Sequence, residues 1–344
     1  MPGPPGVRVD RATSLTPITT CRVVRRPTYD RRVATLPRPS PAAVTRVCLA
    51  ALVANMAIVL TGALVRLTGS GLGCPTWPKC AGSSYVNTPE YGMHGVIEFG
   101  NRSLTVVLAV VVAACIVLTV LQRPRRRDLV ALSWALFAGI VGQAVLGGIT
   151  VRTHLNPWTV AAHFLLSMVL IAVAATLVIR SRKSGGTLSV QPLPRGLGLA
   201  VTGLTAAVLV LGTLVTGSGP HAGDSSAART GFDPATVTHL HAAAVMALVA
   251  LTVATLVALR VTGGPGRAQR AAAVLLGLEL AQGAVGYLQY LTGVPVVLVA
   301  VHVAGACLVW LAAVSLALRM GPIPDATLAD RQPVSVTTEA SSTA

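Results

Sequence analysis

The chain has 344 residues, of which 53% are hydrophobic and only 11% charged, with a mean hydropathy of +0.70. That composition excludes an ordinary soluble globule and indicates a membrane protein. The formal net charge of +16 does not indicate nucleic acid, because the basic residues lie between apolar runs, on one side of a membrane-spanning arrangement.

In chain order, a basic stretch rich in Pro and Arg, 1–42, is expected as a disordered cytoplasmic tail with no cleavable signal pattern. Apolar runs of span length follow at roughly 45–66, 100–121, 129–151, 158–179, 196–216, 237–259, 270–291 and 296–319. The expected fold is an all-α integral membrane protein with eight transmembrane helices. The arginines up to Arg46, Arg123–Arg127, Arg180–Lys183 with Arg195, Arg260–Arg270, and Arg319 with Arg331 all fall on one side of these spans. The other side carries only Arg66, Lys79, Arg102, Arg152 and Arg229. The positive-inside rule then places both termini in the cytoplasm, and the basic tail suits contact with anionic lipid. The segment 321–344 is expected as a second disordered tail.

The spans repeat. Gln143, Gly147 and His163 recur as Gln282, Gly286 and His302, and Thr68-Gly69-Ser70 recurs as Thr216-Gly217-Ser218. The predicted organisation is therefore two repeat-related four-helix bundles of the same orientation, 43–180 and 196–320, joined by a cytoplasmic linker at 181–195. Asn156 is expected to cap the fourth span, with Pro157 at its first position.

Ionisable residues inside spans are costly and point to function. His241 and His302 occupy the second and fourth helices of the second bundle, an arrangement that suits two axial ligands of one haem iron. The alternative is a pair of hydrogen-bonded core histidines. His239 lies roughly 200° around the helix from His241 and cannot share that role. His163 matches His302, but the repeat puts Asn101, a poor ligand, where His241 stands. His94, read as a loop residue just before the second span, is the nearest candidate replacement. Glu98 shares a helix face with Asn101 and suits proton transfer, unless it only pairs with Arg102. Arg66, Arg102 and Arg152, opposite Leu214, Ala242 and Leu291 in the second bundle, suit an acidic amphipathic ligand, or merely snorkel. Glu279 is assigned no role. Cys74 and Cys80 share one loop on the side away from the basic segments and are expected to form a disulfide in an oxidising compartment. Cys48, Cys115 and Cys307 read as small hydrophobes.

The segments GSGLGCPTWPKCAG, IEFGNR, GQAVLGGITVRTHLNPWTVAAHF, TGSGPHAGD, HLHAAA and GYLQYLTGVPVVLVAVH together resemble the haem A synthase family, in an actinobacterial-type branch. The resemblance implies haem b held by His241 and His302. It implies haem O as substrate near His163, with Glu98 important for the chemistry. The implied reaction oxidises the C8 methyl of haem O to a formyl group by two hydroxylations, giving haem A for cytochrome c oxidase. The partners it implies are haem O, with handover from haem O synthase, and an electron donor; membrane lipid and a second copy of the chain complete the expected partners. Family members commonly read Glu-x-x-His-Arg where this chain reads Glu98-Phe99-Gly100-Asn101-Arg102. The competing readings are a quinol-linked di-haem b electron carrier and a transporter.

Overall fold

The computed structural model describes residues 38–182 and 188–322. Nearly all of the two expected tails, Cys21 within the first of them, and residues 183–187 of the expected linker lie outside the described residues. Eight helices are long and apolar enough to cross a membrane. They are α1 (Pro41–Leu67), α2 (Gly92–Leu121), α3 (Arg127–Arg152), α4 (Pro157–Ser181), α5 (Pro192–Ser218), α6 (Pro234–Val261), α7 (Gly266–Leu291) and α8 (Val296–Arg319).

Local chemistry sets several of their starts. Ser40, Asn156 and Asp233 accept from the amides of Ala43, Trp158 and Thr236, and each precedes a proline in the first helical turn. Such caps satisfy amides that the helix itself leaves unpaired. The Thr236 hydroxyl and amide hold the Asp233 carboxyl below its usual range, so this cap stays ionised.

Three boundaries differ from expectation. Helix α2 starts at Gly92, ahead of the apolar run, because a helix needs backbone pairing and not uniform apolarity. His94 is therefore helical. Helix α5 starts at Pro192, and the expected linker contains a strand, β1 (Leu188–Val190), paired in parallel with β2 (Met320–Pro322). The first residues of the expected C-terminal tail thus belong to the fold.

Helix α1 packs on α2 and α4, and α3 on α2 and α4. Helix α5 packs on α6 and α8, and α7 on α6 and α8. The two groups share a seam in which α8 meets α1 and α4. Leu209, Cys307 and Val314 from α5 and α8 join the apolar core of α1–α4. The Trp310 indole donates to the Met168 carbonyl across this seam at 2.7 Å.

The repeat is visible in the backbone. His154 and Leu155, between α3 and α4, both have positive φ (51° and 58°), as do Gly293 and Val294 between α7 and α8 (75° and 61°). Leu155 N–H reaches the Thr150 carbonyl at 2.9 Å, and Val294 N–H reaches the Gln289 carbonyl at 2.7 Å. A β-branched residue in this region is strained. The His221 Nε2, 2.9 Å from the Val294 carbonyl, ties that turn to the α5–α6 loop.

Candidate functional site

Each of three intramembrane histidines rests edge-on against a glycine of the adjacent helix. A Cβ added at Gly147 would lie 3.1 Å from Cε1 of His163. At Gly286 it would lie 3.3 Å from Cε1 of His302, and at Gly212 it would lie 3.4 Å from Cε1 of His241. The glycines are needed because the rings occupy the space of a side chain. Gln143 Nε2 donates to the His163 carbonyl at 3.0 Å, and Gln282 Nε2 donates to the His302 carbonyl at 2.6 Å. The two repeat-related histidines are thus set by the same glycine and the same glutamine.

In all three rings Nδ1 is sealed from solvent with no hydrogen-bond partner. The Val208 carbonyl lies beside the His241 ring without reaching hydrogen-bond geometry to Nδ1. Nε2 is the nitrogen left accessible, and no side chain among the described residues bonds to it. Buried polar groups normally find a partner, and these three Nδ1 atoms have none among the described residues. A neutral imidazole with a free Nε2 is a haem or metal ligand by its chemistry, and the residues present fit such a group. His241 and His302 are close enough to interact electrostatically. Among the described residues His163 has no such neighbour.

Asn101, at the position repeat-related to His241, is engaged by Thr61 Oγ1 at 2.7 Å. His94 lies two helical turns nearer the start of α2, about 10 Å along the axis. It is exposed, and its Nδ1 is 2.9 Å from Ser70 Oγ. His94 therefore does not stand where Asn101 leaves a gap.

Glu98 is 5% exposed. Its Oε2 accepts from the Cys74 amide at 2.7 Å, and its Oε1 accepts from Arg102 Nε and Nη2 at 3.1 and 2.5 Å. Arg102 also donates to the carbonyls of Cys74, Thr76 and Lys79. Cys74 and Cys80 are bonded, with S–S 2.00 Å. The charge pair therefore clamps the disulfide loop onto α2. On the other side of that loop the Trp77 ring lies over Gly148, where a Cβ would meet its Cε2 at 2.7 Å. Gly148 adjoins Gly147, so Trp77 covers the backbone on which His163 rests. Sequence reasoning missed Trp77 and the glycine seats. The single available signal was Gly147 matching Gly286.

The remaining candidates separate. Arg66 Nη2 donates to the Thr216 carbonyl at 2.7 Å, while its buried Nε has no partner. Arg152 is exposed at the end of α3, and His239 is exposed on α6. Arg102, by contrast, directs its donors into the loop. Glu279 accepts from Thr252 Oγ1 at 2.9 Å, and its second oxygen is buried and unpartnered.

Residues 45–314 match the model of the COX15-CtaA family, described as cytochrome oxidase assembly protein. A heme A synthase of Lysinibacillus sphaericus (strain C3-41) is 34% identical over 38% of this chain and 42% of its own length. One from Bacillus pumilus (strain SAFR-032) is 34% identical over 40% and 46%. One from Symbiobacterium thermophilum is 28% identical over 50% and 59%. Each match spans less than two thirds of the relative. The family match covers most of this chain, including every helix that carries a candidate histidine: the chain belongs to the COX15-CtaA family of cytochrome oxidase assembly proteins.

Proposed function

We propose that the chain is a haem A synthase, which oxidises the C8 methyl of haem O to a formyl group. Two successive hydroxylations of the methyl carbon, each a two-electron oxidation that draws on an external oxidant, would give a gem-diol, and loss of water would give the aldehyde of haem A, for use in cytochrome c oxidase. The observation that carries the reading is the inequality of two repeat-related histidine sites in a chain of this family. One site has two neighbouring imidazoles, His241 and His302. The other has His163 alone, in the half whose helices also carry Glu98, Arg66, Arg102 and Arg152.

His241 and His302 would hold a haem b, which when bound would supply one-electron transfer. Their glycine seats and the Gln282 bond to the His302 carbonyl hold the rings in place. His163 orients the substrate haem O. Arg152 and Arg66 suit its propionates, whereas Arg102 acts by clamping the loop. Glu98, held by Arg102 and the Cys74 amide, is the carboxylate of this half that suits proton transfer. Trp77 and the disulfide loop exclude water.

The two sites lie in two four-helix units, 43–180 and 196–320. The distribution of arginines supports a plasma-membrane protein with both termini in the cytoplasm. Haem O and an electron donor are its partners, with lipid around the helices.

The test is chromatography of haems extracted from cells that express this chain together with a haem O source. Haem A is expected in these cells and not in cells lacking the chain. Haem O alone, with the protein present in the membrane, overturns the reading.

A further inference from the structure

The seat that holds His241 in the second half also exists in the first half, without an imidazole in it. Gly62-Ala63-Leu64-Val65 on α1 matches Gly212-Thr213-Leu214-Val215 on α5. Arg66 and Leu67 are then two additional residues before the shared Thr-Gly-Ser, and the register within these helices differs by two from that of the Thr-Gly-Ser match. On this register Gly62 is the counterpart of Gly212, and Ile58 is the counterpart of Val208.

The contacts differ where the side chains differ. A Cβ at Gly212 would meet the His241 ring at 3.4 Å, whereas a Cβ at Gly62 would meet nothing within 4 Å. In the second half the Val208 carbonyl lies beside the His241 ring. In the first half the Thr61 hydroxyl sits between the counterpart Ile58 carbonyl, at 3.1 Å, and Asn101 Oδ1, at 2.7 Å. Asn101 is thus drawn to Thr61, and its shorter side chain leaves the Gly62 seat open. Both His163 and its glycine seat on α3 are retained.

From this, and resting on the substrate-site reading above, we propose that the first half gives its haem iron one protein ligand, His163. The opposite axial face, between Asn101 and the Gly62 seat, is open to an exogenous ligand of the imidazole or small-anion class. Within one chain this makes two haem sites of different spin state and different access. The paired site is closed by two imidazoles. The single site accepts a small molecule at the face where Asn101 stands.

The experiment uses the full-length protein in detergent, loaded with haem, and reads haem stoichiometry, optical spectra and electron paramagnetic resonance. The wild type is expected to carry one low-spin and one high-spin haem, and added imidazole should convert the high-spin component to low-spin. Asn101→His should be low-spin at both sites without imidazole. Adding Gly62→Val to that variant should fill the seat and restore the high-spin signal. Two haems that are both low-spin in the wild type before imidazole, or a high-spin component that imidazole leaves unchanged, would overturn the proposal. A single haem that survives His163→Leu would instead remove the two-site reading on which the proposal rests.

Discussion

Arg102 directs two of its nitrogens, Nε and Nη2, to the same oxygen of Glu98, at 3.1 and 2.5 Å, while the other oxygen takes the Cys74 amide. The carboxylate therefore joins a helix to the disulfide loop, and a change at Glu98 has two separable effects. Glu98→Ala strands a largely buried guanidinium and is expected to lower stability by about 1–3 kcal/mol, with loss of haem A formation. Arg102→Ala should lower stability comparably, as read by thermal unfolding in detergent. Glu98→Gln keeps an acceptor for the Cys74 amide but turns its NH2 toward Arg102, so its stability should fall between those of Glu98→Ala and the wild type. If Glu98 acts only as a clamp, Glu98→Gln will retain haem A formation; if its charge matters to the chemistry, it will not. Normal haem A production by Glu98→Ala would remove the residue from the site altogether.

The paired site is tested by its spectrum. His241→Leu and His302→Leu should each abolish the low-spin haem b signal in membranes, since neither leaves two imidazoles. His239→Leu, on the exposed side of α6, should leave it intact. An unchanged low-spin spectrum in either of the first two variants would exclude this ligand pair.

The glycine seats make a sharper prediction, because they do not touch the iron. Gly286→Ala places a methyl 3.3 Å from Cε1 of His302, and Gly147→Ala places one 3.1 Å from Cε1 of His163. Overpacking of this kind typically costs about 1–3 kcal/mol. Gly286→Ala should shift the resonance of the low-spin haem, and Gly147→Ala should weaken haem binding at the single site. Gly283→Ala, on the same helix as Gly286 with open space around it, is the control and should do neither. Equal effects in all three would show that helix packing, and not ring placement, is being read.

The bonded sulfurs of Cys74 and Cys80 should appear as a linked peptide in non-reducing mass spectrometry of membranes isolated with an alkylating agent. Cys48 and Cys115, whose buried sulfurs lie 3.7 Å apart on α1 and α2, should be recovered as thiols after unfolding in the alkylating agent. Alkylated Cys74 and Cys80 would contradict the loop geometry described above.

Much of this was legible before any tertiary contact was known. Long apolar runs can satisfy their backbone in lipid only as helices or a closed barrel, and their length chose helices. Thus all eight spans could be read from the chain alone. The repeat of Gln143, Gly147 and His163 as Gln282, Gly286 and His302 was equally plain, because histidine and glutamine are rare in such helices. The Asn156 cap with Pro157 could be read too, being a matter of a few adjacent residues.

Other features were decided only when the helices packed. The start of α2 could not be read from apolarity, because its first turns mix apolar residues with His94 and Glu98 and are held to a loop. Arg102 read as a partner of Glu98, a handle for an anion or a snorkelling cation, and the carbonyls of Cys74, Thr76 and Lys79 around it could not be read from the chain. Trp77 came onto Gly148 through the fold of a loop whose composition says nothing about its direction. The register of Gly62 on Gly212 was hidden by two additional residues, Arg66 and Leu67, at the helix end. The sequence by itself determined the class of the protein, its eight spans and the identity of the three histidines. Tertiary structure alone decided which nitrogen each ring leaves free and which glycine it rests on. It also decided that Asn101 is held by Thr61, because these depend on contacts between residues distant in the chain.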